Sequence, residues 1–151
     1  MKLHRLITYV SIMLISCATT FAQDYLGMGS AQVIKEVEKK TDDYAKSTSG
    51  GFDQIWFGTS GRNGATYFLS FNKQQKCFIE HIITTSKEVA QSFIYDNFIV
   101  KEYEKDSYPE PNGKIVLLYQ AKRNPFGGVN YSLYIYNDTD MEAVKSYLSK
   151  E

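Results

Sequence analysis

The chain has 151 residues, and its 43% apolar and 15% aromatic content excludes disorder across its length and supports one folded core. Lysine and arginine together number 17, as do aspartate and glutamate, so a dedicated nucleic-acid-binding surface is not expected. No apolar run reaches the ~18 residues that a membrane-spanning helix requires.

Residues 1–23 have the features of an export signal. A short basic start and a largely apolar stretch precede small residues, which predicts cleavage near Ala22 or Gln23. The segment carries two basic residues and no acidic one, so its removal leaves 15 basic against 17 acidic side chains. We therefore expect an exported protein, periplasmic or extracellular, with a single domain over residues 24–151.

The motif Leu14-Ile15-Ser16-Cys17, at the end of the apolar stretch, resembles the lipobox of bacterial lipoproteins. The resemblance implies lipidation of Cys17 and an outer-membrane lipoprotein, whereas simple cleavage near Ala22 implies a protein without an anchor. Both interpretations stay open, and lipidation of Cys17 is the only membrane attachment expected. In either case Cys77 is the only cysteine left without a lipid, so no disulfide is expected within the domain and the thiol should be buried.

The first half of the domain is predicted to contain a helix and three strands. The helix would begin after Ser30 and keep Val33, Val37 and Tyr44 on one apolar face. Residues 47–51 are predicted to form a loop. Alternating β-branched and aromatic residues then predict strands at 52–59, 65–72 and 76–84.

The second half repeats this arrangement. A helix is predicted to begin at residues 85–88, with an apolar face that includes Val89, Phe93 and Phe98. Strands are predicted at 100–106, 115–121 and 129–136, with a break at the prolines of residues 108–113, and a last helix begins at 139–142. The order α-βββ-α-βββ-α favours an α+β fold in which helices pack on one face of an antiparallel sheet.

Few residues are available for catalysis. His81 is the only histidine after cleavage, and the strand alternation predicts it on the same face as Cys77, about 13 Å away, which is too far for a Cys-His pair. One histidine and one cysteine cannot form a typical zinc site, so no metal or cofactor is expected. Glu102, Glu104 and Asp106 share one side of their strand, but interleaved lysines are more typical of a solvated edge strand.

Two groups of aromatic residues are relevant to binding. Trp56 is the only tryptophan, and we expect it to anchor the core. Tyr134 and Tyr136 share a strand face with Ser132. They form either a contact platform or ordinary half-exposed tyrosines of the sheet.

The predicted strand directions bring two turns to one end of the sheet. That end would gather four cations and one exposed aromatic ring, namely Lys73, Lys76, Lys122, Arg123 and Phe126. Such a surface suits an anionic partner, which could be an acidic glycan, a lipid head group or an acidic patch of a protein.

These features predict a small exported protein that acts as a non-catalytic binding module of the cell envelope. Two alternatives stay open. One is a hydrolase that uses carboxylates, and the other is a lipid-anchored structural protein of the envelope.

Overall fold

A computed structural model describes residues 25–59, 64–93, 99–102 and 115–150. The predicted export signal and Cys17 lie outside these residues, as does the proline-rich break at 108–113. Within the described ranges, none of the helices has the length and apolar character needed to cross a bilayer.

The described residues form three helices and seven strands. The helices are α1 (Ser30–Glu38), α2 (Lys87–Ser92) and α3 (Met141–Leu148), and a single 3-10 turn (Asp138–Asp140) leads into α3. The strands are β1 (Tyr44–Ser49), β2 (Phe52–Gly58), β3 (Ala65–Phe71), β4 (Cys77–Thr84), β5 (Ile99–Glu102), β6 (Ile115–Arg123) and β7 (Val129–Asn137).

All seven strands form one sheet in the order β1-β2-β3-β4-β7-β6-β5. Neighbouring strands pair antiparallel throughout β1-β2-β3-β4-β7-β6, and only β5, at the end of the sheet, pairs with β6 in parallel. The predicted α+β class is confirmed. The predicted order α-βββ-α-βββ-α is wrong by one strand, because β1 precedes the three strands expected after the first helix.

Strand β1 lies where the sequence predicts the end of a helix and a loop. Helix α1 ends at Glu38, and Tyr44, expected on its apolar face, instead begins β1. Gly50 and Gly51 both have positive φ and form the two-residue turn that joins β1 to β2, with Ser49 opposite Phe52. Two residues with positive φ match the twist of a tight hairpin, so the Gly-Gly pair marks a hairpin rather than a longer loop.

Helices pack on both faces of the sheet, so the expectation that they share one face is wrong. Helices α1 and α2 bury Val33, Val37 and Phe93 against one face, which we call the α1 face. Helix α3 buries Val144 and Leu148 against the opposite face, which we call the α3 face. Strands β4, β6 and β7 have buried apolar residues on both faces and therefore require a cover on each.

A β-bulge changes the alternation predicted for β4. Ser70 lies opposite Ile79, whereas Phe71 lies opposite Cys77, so Phe78 is an extra residue in the pairing. Because of the bulge, Phe78 and Ile79 both pack on the α3 face, and Cys77 lies on the α1 face. The prediction that Cys77 and His81 share a face is therefore wrong.

The parallel pairing of β5 and β6 also reverses a predicted direction. We expected residues 100–106 and 115–121 to run in opposite directions, but Ile99 to Glu102 pair in parallel with Val116 to Tyr119. A parallel pair needs a connection of about a dozen residues or more, and residues 103–114 supply this length. The β6–β7 turn consequently lies at the opposite end of the sheet from the β3–β4 turn.

Candidate functional site

The five residues predicted to form one basic surface are divided between the two ends of the sheet. Lys73 and Lys76 lie in the β3–β4 turn, beside the end of β7 at Asn137. The other three, Lys122, Arg123 and Phe126, lie at the β6–β7 turn, beside the end of β4 at Thr84. The exposure predicted for Phe126 is confirmed, at 97% of its side-chain surface, but the single surface is wrong.

A row of aromatic side chains crosses the α3 face through four neighbouring strands. The strand register places these residues directly opposite one another, and we call them the aromatic row: Trp56, Phe68, His81 and Tyr134. The ring centroids are 6.3 Å apart for Trp56 and Phe68, 5.6 Å for Phe68 and His81, and 4.3 Å for His81 and Tyr134. Directly opposed pairs have the closest approach across a sheet, so each ring packs on the next.

Helix α3 covers one side of the aromatic row. Just before the helix, Asp140 accepts a hydrogen bond from the side chain of Asn72 at 2.6 Å. Just after the helix, Lys150 donates to the carbonyl of Gly50. Between these contacts, the Tyr147 hydroxyl lies 3.3 Å from Nδ1 of His81. The buried part of the row therefore lies against the helix, whereas Trp56, near the sheet edge, is 40% exposed.

Thr66, Ser132 and Gln120, together with one glycine and one isoleucine, line the other side of the aromatic row. The next residues on the same face form a second row across these four strands and β6: Gly58, Thr66, Ile83, Ser132 and Gln120. No described helix packs on this second row; Gly58 is exposed and the other four residues are partly accessible. The side-chain polar groups of Thr66, Ser132 and Gln120 form no hydrogen bond with another described residue. We call the exposed ring of Trp56 and the partly accessible ring of Phe68, together with this second row, the aromatic shelf.

The environments of His81 and Cys77 oppose acid-base or nucleophilic chemistry. Burial lowers the pKa of His81 to about 4, so the imidazole is uncharged at neutral pH. Burial, followed by the charge of Glu80, raises the pKa of the Cys77 thiol well above its usual range. The two side chains lie on opposite faces of the sheet and cannot exchange a proton. The predicted burial of Cys77 is confirmed.

The remaining acidic and metal-binding possibilities gain no support from the described residues. Glu102 lies in β5, whereas Glu104 and Asp106 of the predicted carboxylate row lie outside the described residues. In the described part of the chain, no three His, Cys, Asp or Glu side chains lie close enough to hold a metal ion.

A cleft of about 360 Å³ lies on the α1 face, between α1 and the first two strands. Ile34, Ile55 and Phe71 contribute apolar lining, and Lys46 and Asp53 contribute charge. Asp53 accepts a hydrogen bond from Gln75 at 2.9 Å, so its carboxylate is already engaged by the protein. Lys46 lies on the edge strand β1, where a lysine commonly prevents pairing with another sheet. Phe71, the one aromatic residue of this lining, is buried, so the cleft presents no exposed aromatic ring, whereas the aromatic shelf presents Trp56.

The residues of the aromatic shelf differ from those that the sequence singled out. Trp56, expected in the core, is exposed because its partner across the edge strand is the small side chain of Ala45. Tyr134 and Tyr136, considered as a platform, are buried beneath α3. Strand alternation in the sequence places Trp56 on the same face of β2 as Phe52 and Gln54, but it does not show which face α3 covers.

No family model, curated protein or solved structure matches the chain.

Proposed function

We propose that the protein is an exported, non-catalytic binding module of the cell envelope, and that its aromatic shelf takes the flat face of a neutral saccharide. The observation that carries this proposal is the exposure of Trp56, stacked on Phe68, beside a row of small and polar side chains. The export part of the proposal is supported by the basic, apolar and small-residue order of residues 1–23.

The chemistry of the shelf matches that of a sugar ring. A pyranose presents C–H groups on its faces and hydroxyl groups around its edge, so one face is apolar and the rim is polar. The electron-rich face of an indole or phenyl ring attracts such C–H groups. Thr66, on the neighbouring strand, is placed to exchange hydrogen bonds with the hydroxyl groups of a ring stacked on Trp56. Ser132 and Gln120 lie three and four strands away from Trp56, about 14 and 19 Å at the usual strand spacing, and are placed to meet further units of an oligosaccharide.

The charge of the shelf favours a neutral ligand. No residue of the second row is ionisable, and His81 is uncharged at neutral pH. An acidic glycan, which the predicted basic surface would suit, finds no cation among the shelf residues. An anionic partner, as expected from the sequence, would therefore need another part of the molecule.

The single tryptophan gives a direct test. Because Trp56 is the only tryptophan, fluorescence excited selectively at tryptophan, rather than at the 12 tyrosines, reports on the shelf. We expect at least one member of a panel of soluble neutral oligosaccharides, made of glucose, xylose or N-acetylglucosamine units, to change this fluorescence in a saturable manner. Oligomers of uronic acids serve as the charged comparison and should bind more weakly.

Variants separate the shelf from other surfaces. Phe68→Ala keeps the fluorophore and should weaken binding about tenfold, since a stacked aromatic contact contributes about 0.5–1.5 kcal/mol beyond its buried area. Phe126→Ala removes the other strongly exposed ring and should leave the affinity unchanged. The proposal fails if no neutral saccharide perturbs Trp56 in the folded protein. It also fails if calorimetry detects binding and amide resonances shift around Ile34 and Lys46 rather than around Trp56.

A further inference from the structure

The β6–β7 turn presents an aromatic ring away from the rest of the protein. We call residues Lys122–Gly128 the hairpin tip. Phe126 is 97% exposed, more than any other large apolar side chain of the described residues. A single exposed apolar side chain is common on protein surfaces, so the relevance of Phe126 to contact depends on the turn that presents the ring and on the charge around it.

The backbone of the hairpin tip is held in place by Asn124. Its side-chain oxygen accepts hydrogen bonds from the amides of Phe126, at 3.0 Å, and Gly128, at 3.1 Å. The backbone N–H of Asn124 donates to the carbonyl of Gly128 at 2.8 Å, and Gly127 adopts a φ of +87° that favours glycine. The ring is therefore presented on a preorganised turn, and contact through it requires little ordering of the backbone.

The charge around the ring is positive. Lys122 and Arg123 are exposed and form no ion pair with another described residue. The whole hairpin, residues 115–137, contains no aspartate or glutamate. Lysine and arginine side chains near an anionic membrane surface are attracted to it, and an adjacent aromatic ring can enter the interfacial region.

We infer that the hairpin tip inserts Phe126 into the interfacial region of an anionic phospholipid bilayer, while Lys122 and Arg123 contact the lipid phosphates. A bilayer fits the tip better than a protein does. A stable protein interface buries about 800 Å² on each partner, whereas this tip offers one ring. A lipid interface accepts a single aromatic side chain together with flanking cations. This inference does not rest on the proposed saccharide binding, because the two surfaces involve different residues.

Each part of the hairpin tip has an expected share of the binding. Removing one cation near an anionic surface should lower the partition coefficient about fivefold, and removing both about 25-fold. Removing the Phe126 ring should lower it roughly tenfold, since a phenyl ring at the interface is only partly withdrawn from water. The electrostatic share should diminish as salt is added.

Sedimentation with large unilamellar vesicles tests the inference on the protein purified after export. Equimolar phosphatidylcholine and phosphatidylglycerol provides the anionic surface, and phosphatidylcholine alone measures any anchoring by a lipid on Cys17. We expect binding that requires phosphatidylglycerol and that is weakened in Phe126→Ala and in the double variant Lys122→Ala, Arg123→Ala. The double variant Lys73→Ala, Lys76→Ala removes the same charge at the opposite end of the sheet and should bind like the wild type.

Insertion of the ring has its own measurement. In a Trp56→Phe background, the variant Phe126→Trp places the only tryptophan at the tip, and its emission should shift to shorter wavelength when anionic vesicles are added. The inference is overturned if Phe126→Ala binds as tightly as the wild type, if the emission does not shift, or if the Lys73 and Lys76 control loses as much binding as the tip variant. The last result would indicate attraction by net charge alone.

Discussion

Acidification should destabilise the protein through His81. The imidazole lies between Phe68 and Tyr134, beneath Tyr147, and only 4% of its surface is exposed. Burial lowers its pKa to about 4 in the folded state, whereas an unfolded chain has a histidine pKa of about 6.5. Between these two values the unfolded state binds a proton that the folded state does not, so the free energy of unfolding falls as the pH falls.

The magnitude follows from the two pKa values. The contribution of His81 is fully present above about pH 6.5, and it decreases by about 2 kcal/mol at pH 5 and by about 3 kcal/mol at pH 4. Carboxylates also titrate in the lower part of this range, so a matched variant must isolate the histidine. His81→Phe keeps an aromatic ring against Tyr134 and removes the titrating group.

Urea unfolding followed by circular dichroism measures the effect. The free energy of unfolding should fall by about 2 kcal/mol more for the wild type than for His81→Phe when the pH is lowered from about 7.5 to about 5. A pH-independent difference between the two proteins would report only the change in packing. Equal losses in both proteins over this range would refute the reasoning, because His81 would then be accessible to protons in the folded state.

Four further outcomes are expected. Cys77 should react with a water-soluble thiol reagent only after unfolding, since burial raises its pKa; rapid labelling of the native protein would contradict its placement. Leu148→Ala should lower the free energy of unfolding by about 2–5 kcal/mol in urea, because the side chain is buried between α3 and the sheet. Gly127→Ala should cost about 1–2 kcal/mol because of its positive φ, whereas Gly58→Ala meets no atom within 4 Å and should be near neutral in the same assay. Mass spectrometry of the protein purified from its native host should find cleavage near Ala22–Asp24; a mature chain beginning at a lipidated cysteine would establish the lipoprotein alternative instead.

The strongly alternating segments could be predicted from the sequence, because their pattern is local. Strands β3, β6 and β7 follow period-two alternation with aromatic and β-branched residues, and all three lie where the pattern predicts them. Helices α2 and α3 likewise begin near the predicted residues. The exposure of Phe126 also follows locally, since it lies in a Pro-Phe-Gly-Gly turn that no regular element can bury.

Edge strand β1 was missed because its residues are mostly polar and carry no apolar alternation. Tyr44–Ser49 is a strand because the glycine turn brings it against β2, which supplies its hydrogen bonds. The bulge at Phe78 was missed for a related reason. The sequence of β4 alternates equally well with or without one extra residue, and only the partner strand determines where the register shifts.

The candidate site depended on tertiary structure in every part. The sequence determined that the domain is α+β, that Cys77 is buried and that one aromatic ring projects from a turn. It did not determine which face α3 covers or that β5 runs parallel to β6. Because α3 packs over the other side of the aromatic row, the Trp56 side stays exposed. Because β5 and β6 are parallel, the two basic turns lie at opposite ends of the sheet. Both depend on pairing between segments far apart in the chain, and a periodic pattern specifies which side of a strand is apolar but not which partner will cover it.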